Sequence, residues 1–263
     1  MKVIIMTDLE GISGVDTMDM VSEVGTEGHQ FALERLMADV NAAVEGAFEG
    51  GATEVYVEDG HGGGKNFIKE ILHPKAVQTD SAGWNELIRS GQIDAYMEVG
   101  AHAMPGTING FLDHVQSSKA WYNYIVNGRK CGEIAQGAIF AGAFDVPFIM
   151  VTGDQAACTE ARMFLGDIPC AAVKRGVGRN KAVSMDLDAA LVEIKKAAYE
   201  GMKCIGSVKP YKPLMPMEII LELYRSDMCD AIMTRCKDVE RMDARSVRKI
   251  VTKVEYYKDV LFT

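Results

Sequence analysis

Five acidic and imidazole side chains stand in this sequence where metal ligands could stand: Asp8, Glu10, His61, His102 and Glu133. Asp8 and Glu10 lie two residues apart, just beyond the apolar run Val3-Ile4-Ile5-Met6. If the extended segment continues that far, this spacing turns both carboxylates to one face, with Thr7 and Leu9 on the other. His61 follows Glu54-Val55-Tyr56-Val57, and His102 follows Tyr96-Met97-Glu98-Val99. Both histidines are flanked by Gly or Ala, small residues that let the backbone fold closely around a small ligand. Glu133 opens a stretch that reads as a helix. A mixed shell of imidazole and carboxylate suits Zn2+, Mn2+ or Co2+ better than Mg2+ or Ca2+, which favour oxygen alone, and zinc is the expected ion. Such an ion lowers the pKa of bound water and acts as a Lewis acid, which would suit hydrolysis.

Taken singly, each of these residues has an ordinary explanation. An acidic pair at a strand end can cap a helix, a histidine in a glycine loop can be solvated, and a first-turn glutamate is favoured by the helix dipole. Three separate strand ends delivering such residues is what sets them apart. His29, in a polar stretch, and His73, before Pro74, read as structural or solvated. The run from Gly60 to Asn66 looks like a phosphate cradle but lacks its spacing. A P-loop needs Gly where Asp59 stands and Ser or Thr where Asn66 stands, and the third glycine of a dinucleotide motif would fall on Lys65 or Phe67.

The elements that must position these residues alternate along the chain. After the first apolar run comes a helical stretch from Phe31 to Phe48, with Leu33, Leu36, Met37, Val40, Val44 and Ala47 on one face and Gly50-Gly51 ending it. Strand and loop then repeat through His61 and His102. Trp121 to Val126 alternates and ends at Asn127-Gly128, which predicts a small antiparallel excursion before a helix over 132–144. Pro147 to Val151 reads as a buried strand, Asp154 as the cap of the next helix, Cys170 to Lys174 as a strand and Asp186 to Met202 as a helix. The prolines at 210, 213 and 216 form the one linker-like cluster, predicting a connector over 209–216 between a catalytic domain, 1–208, and a small C-terminal α+β unit, 217–263. In that unit 217–224 reads as a strand, 226–235 as a helix and 246–260 as a closing helix. The expected fold class is α/β, a mostly parallel sheet with helices on both faces and ligands gathered at the C-terminal strand ends.

Bulk properties narrow the function. A net charge of −9 disfavours nucleic acid, whose affinity comes largely from Lys and Arg at phosphates. The N-terminal apolar stretch ends after Met6, so no export or membrane segment is expected. Six cysteines without a C-x-x-C pair suit small buried apolar roles in a reducing, cytoplasmic setting.

The motif Asp8-Leu9-Glu10-Gly11-Ile12-Ser13-Gly14 resembles the signature of the D-aminopeptidase family of self-compartmentalising metallopeptidases. The resemblance runs through Asp59-Gly60-His61, Gly100-Ala101-His102-Ala103, Gly106-Thr107, Asn109 to His114, Asn127-Gly128, Gly132-Glu133, Gly153-Asp154 and Ala172-Val173-Lys174. It implies a two-zinc centre in which Asp8 bridges both ions and Glu10, His61, His102 and Glu133 complete the shells. It implies His114 as the catalytic histidine, and a homo-oligomer of stacked rings, a decamer. The function expected is a binuclear metal-dependent aminopeptidase acting on small peptides or amino-acid amides, with or without selectivity for D residues. The competing readings are a binuclear phosphoesterase or other amidohydrolase, for which Lys65, Arg129, Lys130 and Lys174 are the nearby cations, and a non-catalytic metal-stabilised binding protein.

Overall fold

Apolar runs of four to seven residues become strands wherever both faces can be covered, and the longer 3.6-periodic segments become the helices that cover them. A computed structural model describes residues 1–262. The chain begins with β1 (Lys2–Thr7), a single-turn α1 (Met18–Ser22), the long α2 (Glu27–Gly50) and β2 (Glu54–Asp59). There follow β3 (Ala76–Thr79), α3 (Ser81–Arg89), β4 (Ala95–Ala101), β5 (Trp121–Val126), β6 (Arg129–Cys131) and α4 (Glu133–Ala143). Next come β7 (Phe148–Asp154), α5 (Gln155–Leu165), β8 (Cys170–Gly178), β9 (Lys181–Ser184) and α6 (Leu187–Lys203). The chain closes with β10 (Met217–Leu223), α7 (Ser226–Arg235), β11 (Glu240–Arg241) and β12 (Ser246–Val251).

Seven strands form one sheet in the order β3-β2-β1-β4-β7-β8-β9, parallel except for β9, which folds back antiparallel on β8. Alternation along β1 assigns its residues to opposite faces. Val3 and Ile5 pack with α2 and α6, whereas Ile4 packs with α3, α4 and α5. This is the α/β architecture expected from the sequence. Among the described residues no helix is long and apolar enough to cross a membrane.

The second sheet, β11-β12-β10-β5-β6, is antiparallel. It is not built by the C-terminal segment alone, because β10 pairs with β5, so 121–131 and 217–251 share one sheet across the expected 209–216 connector. The proline cluster separates stretches of chain, not sheets. α4 lies between the two sheets, which explains why every residue from Ile134 to Gly142 is buried rather than one stripe.

Three local expectations are corrected. Residues 246–260 form β12 and a short 3-10 turn at Tyr257–Val260, not a helix. Val247, Lys249 and Val251 turn inward at a period of two while β12 pairs with β10, and β-branched side chains favour that pleat. α2 starts at Glu27 because Thr26 caps it, accepting the His29 backbone N–H at 3.1 Å, and His29 is buried with Nδ1 3.0 Å from the Met20 carbonyl. β1 ends at Thr7, before Asp8, so a turn and not strand alternation directs the two carboxylates.

Where α2 crosses α6, a Cβ on Gly46 would lie 2.1 Å from the Lys195 carbonyl oxygen and 2.9 Å from Ala198 Cβ. Gly46→Ala is therefore expected to cost about 1–3 kcal/mol in chemical denaturation by overpacking. Gly28→Ala on the same helix, where the nearest atom would be 3.7 Å away, is expected to cost nothing and to gain up to ~1 kcal/mol of helix propensity.

Candidate metal centre

The parallel strands β2, β1 and β4 end side by side, and the loops leaving them carry the candidate ligands. The 8–15 loop is pinned first to β4: the Asp8 N–H donates to the Val99 carbonyl at 2.9 Å and the Gly11 N–H to the Gly100 carbonyl at 2.7 Å. Gly100 has φ +85°, and a Cβ there would fall 2.1 Å from the Asp8 carbonyl oxygen, so only glycine lets the two strand ends approach. Below the loop Lys174, 4% exposed, donates from Nζ to the carbonyls of Glu10 (2.5 Å), Ile12 (2.8 Å) and Val15. From α2, the buried Asp39 accepts from the Ser13 N–H at 2.8 Å and its hydroxyl at 2.6 Å. The His61 turn is clamped in the same manner. Asn66 donates its backbone N–H and side-chain amide to Asp59 at 2.5 and 2.9 Å, and the same amide reaches the His61 carbonyl at 2.7 Å.

With the loops so held, the ligand atoms gather in two groups, Asp8, Glu10 and His61 in one, His102, His114 and Glu133 in the other. Asp8 joins them. Its Oδ1 lies 2.8 Å from His61 Nδ1 and its Oδ2 lies 3.2 Å from His102 Nε2. Glu10 Oε2 stands 3.0 Å from His61 Nδ1, and Glu133 Oε1 stands 3.3 Å from His102 Nε2. Two ligand atoms on one tetrahedral zinc at ~2.0–2.1 Å are about 3.3 Å apart, a spacing that the His102 edges match, while the shorter His61 edges are hydrogen-bond distances. Glu10 Oε2 and His102 Nε2 are buried and form no hydrogen bond, although charged neighbours face them. Lone pairs converging in this way on buried polar atoms fit a cation between them.

The electrostatics agree. Burial alone would raise the Asp8 pKa, yet pairing with His102 and His61 overrides it and holds the carboxyl well below the usual carboxylate range. Burial pulls His61 down, but Glu10 and Asp8 outweigh it and push the imidazole up to about 11. Against the opposing effect of burial, His102 is raised by Asp8 and then Glu133, and Glu133 is lowered chiefly by His102. Positive charge is held against three carboxylates, as protons on the imidazoles or as metal ions that displace them.

His114 stacks on His102 with centroids 4.0 Å apart and planes 12° apart. Its Nδ1 lies 2.7 Å from the Leu112 carbonyl, an acceptor, which leaves Nε2 as the basic nitrogen, 3.9 Å from Glu133 Oε1. Asp113 does not orient it, since its carboxylate accepts from the Gly106 N–H at 2.6 Å and pairs with Arg179 at 3.4 Å. Glu133 sits in the first turn of α4, where the dipole favours it, and also accepts from the Gln116 N–H at 2.7 Å. Asp154 caps α5 through the Ala157 N–H at 2.7 Å while its second oxygen accepts from the Phe111 N–H at 2.8 Å, anchoring the loop that carries His114. The groups open on a cleft of about 670 Å³ lined by Asp8, Glu10, His61, His114 and Glu133.

Sequence reasoning alone does not reach the supporting residues. Lys174 reads there as a cation available to a phosphate, whereas its three carbonyl acceptors use it up; burial lowers its pKa to about 8 despite the nearby Asp16, Asp154, Asp39 and Glu10. Arg129 donates to the Met163 carbonyl and lies over the Phe164 ring, away from the cleft. Asn66, Gln116 and Asp39 carry no motif that marks them. A signal existed only for Lys174, the charge that ends the apolar run over 170–173.

Comparison with known proteins points one way. Residues 1–261 match the model of the M55 peptidase family, described as D-aminopeptidase. The D-aminopeptidase of Bacillus subtilis (strain 168) is 30% identical over 219 residues, covering 81% of this chain and 78% of that protein. A solved structure, the zinc-dependent D-aminopeptidase DppA from Bacillus subtilis, described as a self-compartmentalizing protease, superposes with a TM-score of 0.89 at 23% identity. That superposition covers 99% of this chain and 95% of the other.

The loop anchored by Lys174 yields the test of this geometry. Lys174→Met keeps the stem but leaves three loop carbonyls without their donor, and thermal and urea denaturation should show a loss of about 3 kcal/mol. Zinc affinity, read by calorimetry on the folded variant, should fall with it, since Asp8 and Glu10 lose their support.

Proposed function

The chain belongs to the D-aminopeptidase family of M55 peptidases, and from that premise we propose a binuclear zinc aminopeptidase that releases the first residue of small peptides or amino-acid amides. The observation that carries the binuclear reading is Asp8, which presents one carboxylate oxygen to each of the two ligand groups. Glu10 and His61 would complete one shell, and His102 and Glu133 the other. Zinc is chosen by the mixed imidazole and carboxylate donors and by the zinc dependence of the structural relative, with Mn2+ or Co2+ compatible with the same donors. When bound, such ions supply Lewis acidity toward a carbonyl and lower the pKa of water.

The chain's own groups do the rest. The Leu112 carbonyl fixes the His114 ring and leaves Nε2 facing the cleft, where it can hold the proton that the departing amine requires. The acidic lining of the cleft favours a substrate with a free, protonated N-terminus by long-range attraction.

Two further features belong to the same reading. The structural relative is described as self-compartmentalizing, and that likeness supports reading this chain as a homo-oligomer, in the fullest form a decamer. Six cysteines without a disulfide among the described residues suit the cytoplasm. A phosphoesterase is disfavoured because the cleft lining offers one lysine, the exposed Lys119, and no arginine, and Lys174 is committed to backbone carbonyls.

The test is hydrolysis of L- and D-aminoacyl amides and dipeptides alongside phosphodiesters. Metal-stripped protein should be inactive and should release the N-terminal residue once zinc is restored. His114→Ala should lower kcat by about 10²–10⁴-fold while leaving zinc binding in place. Phosphodiester cleavage without peptide cleavage would overturn the reading. Light scattering should give a mass several times that of one chain, and a monomer would remove the oligomer from it.

A further inference from the structure

We propose that the floor of the cleft is a side-chain subsite selecting a basic first residue, of the lysine, ornithine or arginine class, through Glu58 and Glu98. The inference rests on the aminopeptidase reading and adds to it a substrate class.

The placement follows from sheet register. Glu58 on β2 and Glu98 on β4 both pair with Met6 on β1, so they flank it at one level. Met6 lies near the end of β1, two residues before Asp8, where the chain leaves the strand for the ligand-bearing turn. Both glutamates and Met6 line the cleft that Asp8, Glu10 and His61 also line. A side chain that starts at the ligand groups and runs inward therefore ends between two carboxylates.

Neither carboxylate is paired with a cation of the chain among the described residues, although Glu58 is 2% and Glu98 is 6% exposed. Glu58 Oε1 accepts from the Ser81 hydroxyl at 2.8 Å, but its Oε2 is buried with no partner. Burial raises Glu58 to about 7 and Glu98 to about 8, the latter pushed further by Asp8 and Glu133, which is the state of acids that lack a cation. Buried carboxylates are ordinarily paired.

The walls suit the stem of such a residue. Trp84, Tyr96 and Tyr257 also line the cleft, with the Trp84 ring 6.2 Å from Tyr96 and 5.0 Å from Tyr257. Lysine and arginine lay a methylene stem on apolar surface and present a charge at its end, and aromatic faces attract that charge. The one lysine or arginine in the lining, Lys119, is exposed and pairs with neither Glu58 nor Glu98.

The experiment compares lysyl and norleucyl amides, which share stem length and differ in charge, in both L and D forms, with zinc-loaded protein. The wild type should show at least a tenfold higher kcat/KM for lysyl. Glu98→Gln, and independently Glu58→Gln, should lower that lysyl-to-norleucyl ratio at least fivefold. Calorimetric binding of lysinamide against norleucinamide gives the same ratio without turnover. A wild-type ratio near one, or a ratio unchanged in both variants, overturns the subsite, since a purely structural role would lower both substrates alike. If neither amide is hydrolysed, the aminopeptidase reading fails, and the binding ratio still decides whether the cleft selects a basic side chain.

Discussion

Three carboxylates cannot be buried within a few ångströms of each other without positive charge between them, and the ends of β1, β2 and β4 are built around that constraint. Asp8, Glu10 and Glu133 meet only His61, His102 and His114 as neighbours of opposite tendency, at edges of 2.8–3.9 Å. Such an arrangement is stable when cations occupy it and strained when they do not. Most of the polar structure nearby serves to keep these side chains from relaxing away from one another.

Lys174 shows how this is done. Taking an ammonium out of water costs several kcal/mol, and here the loop carbonyls of Glu10, Ile12 and Val15 replace the lost hydration. The charge is thereby spent on backbone geometry, which leaves Asp8 and Glu10 free of a fixed counterion. Asp39 and Asn66 act on neighbouring loops by the same principle, each joining a buried or half-buried carboxylate to backbone N–H groups. On the far side, α4 carries Glu133 to the site from a helix enclosed by both sheets, so the antiparallel sheet bears on the centre through packing.

The strand ends were legible because each is a short apolar run followed at once by a polar residue, a pattern that survives in any parallel sheet covered on both faces. Asp8, Glu10, His61 and His102 could be named for that reason, Glu133 and the role of His114 came with the family resemblance, and all six do come together. The C-terminal stretch was misread because Val247, Ile250, Val251 and Val254 satisfy helical spacing as well as a pleat, and only pairing with β10 decides between them. The sheet shared by 121–131 and 217–251 depends on contacts between distant segments, which local periodicity does not record. Glu58 and Glu98 escaped notice because a glutamate within a strand usually faces water, and register with Met6 is what turns both into one cleft.

The central claim, that Asp8 bridges two metal sites, is tested most directly by equilibrium zinc titration of the metal-stripped chain and its Glu10→Ala variant, with bound metal counted by elemental analysis. The account predicts two zinc ions per chain for the wild type and one for the variant. A single ion in the wild type, or a count that Glu10→Ala leaves unchanged, would contradict it.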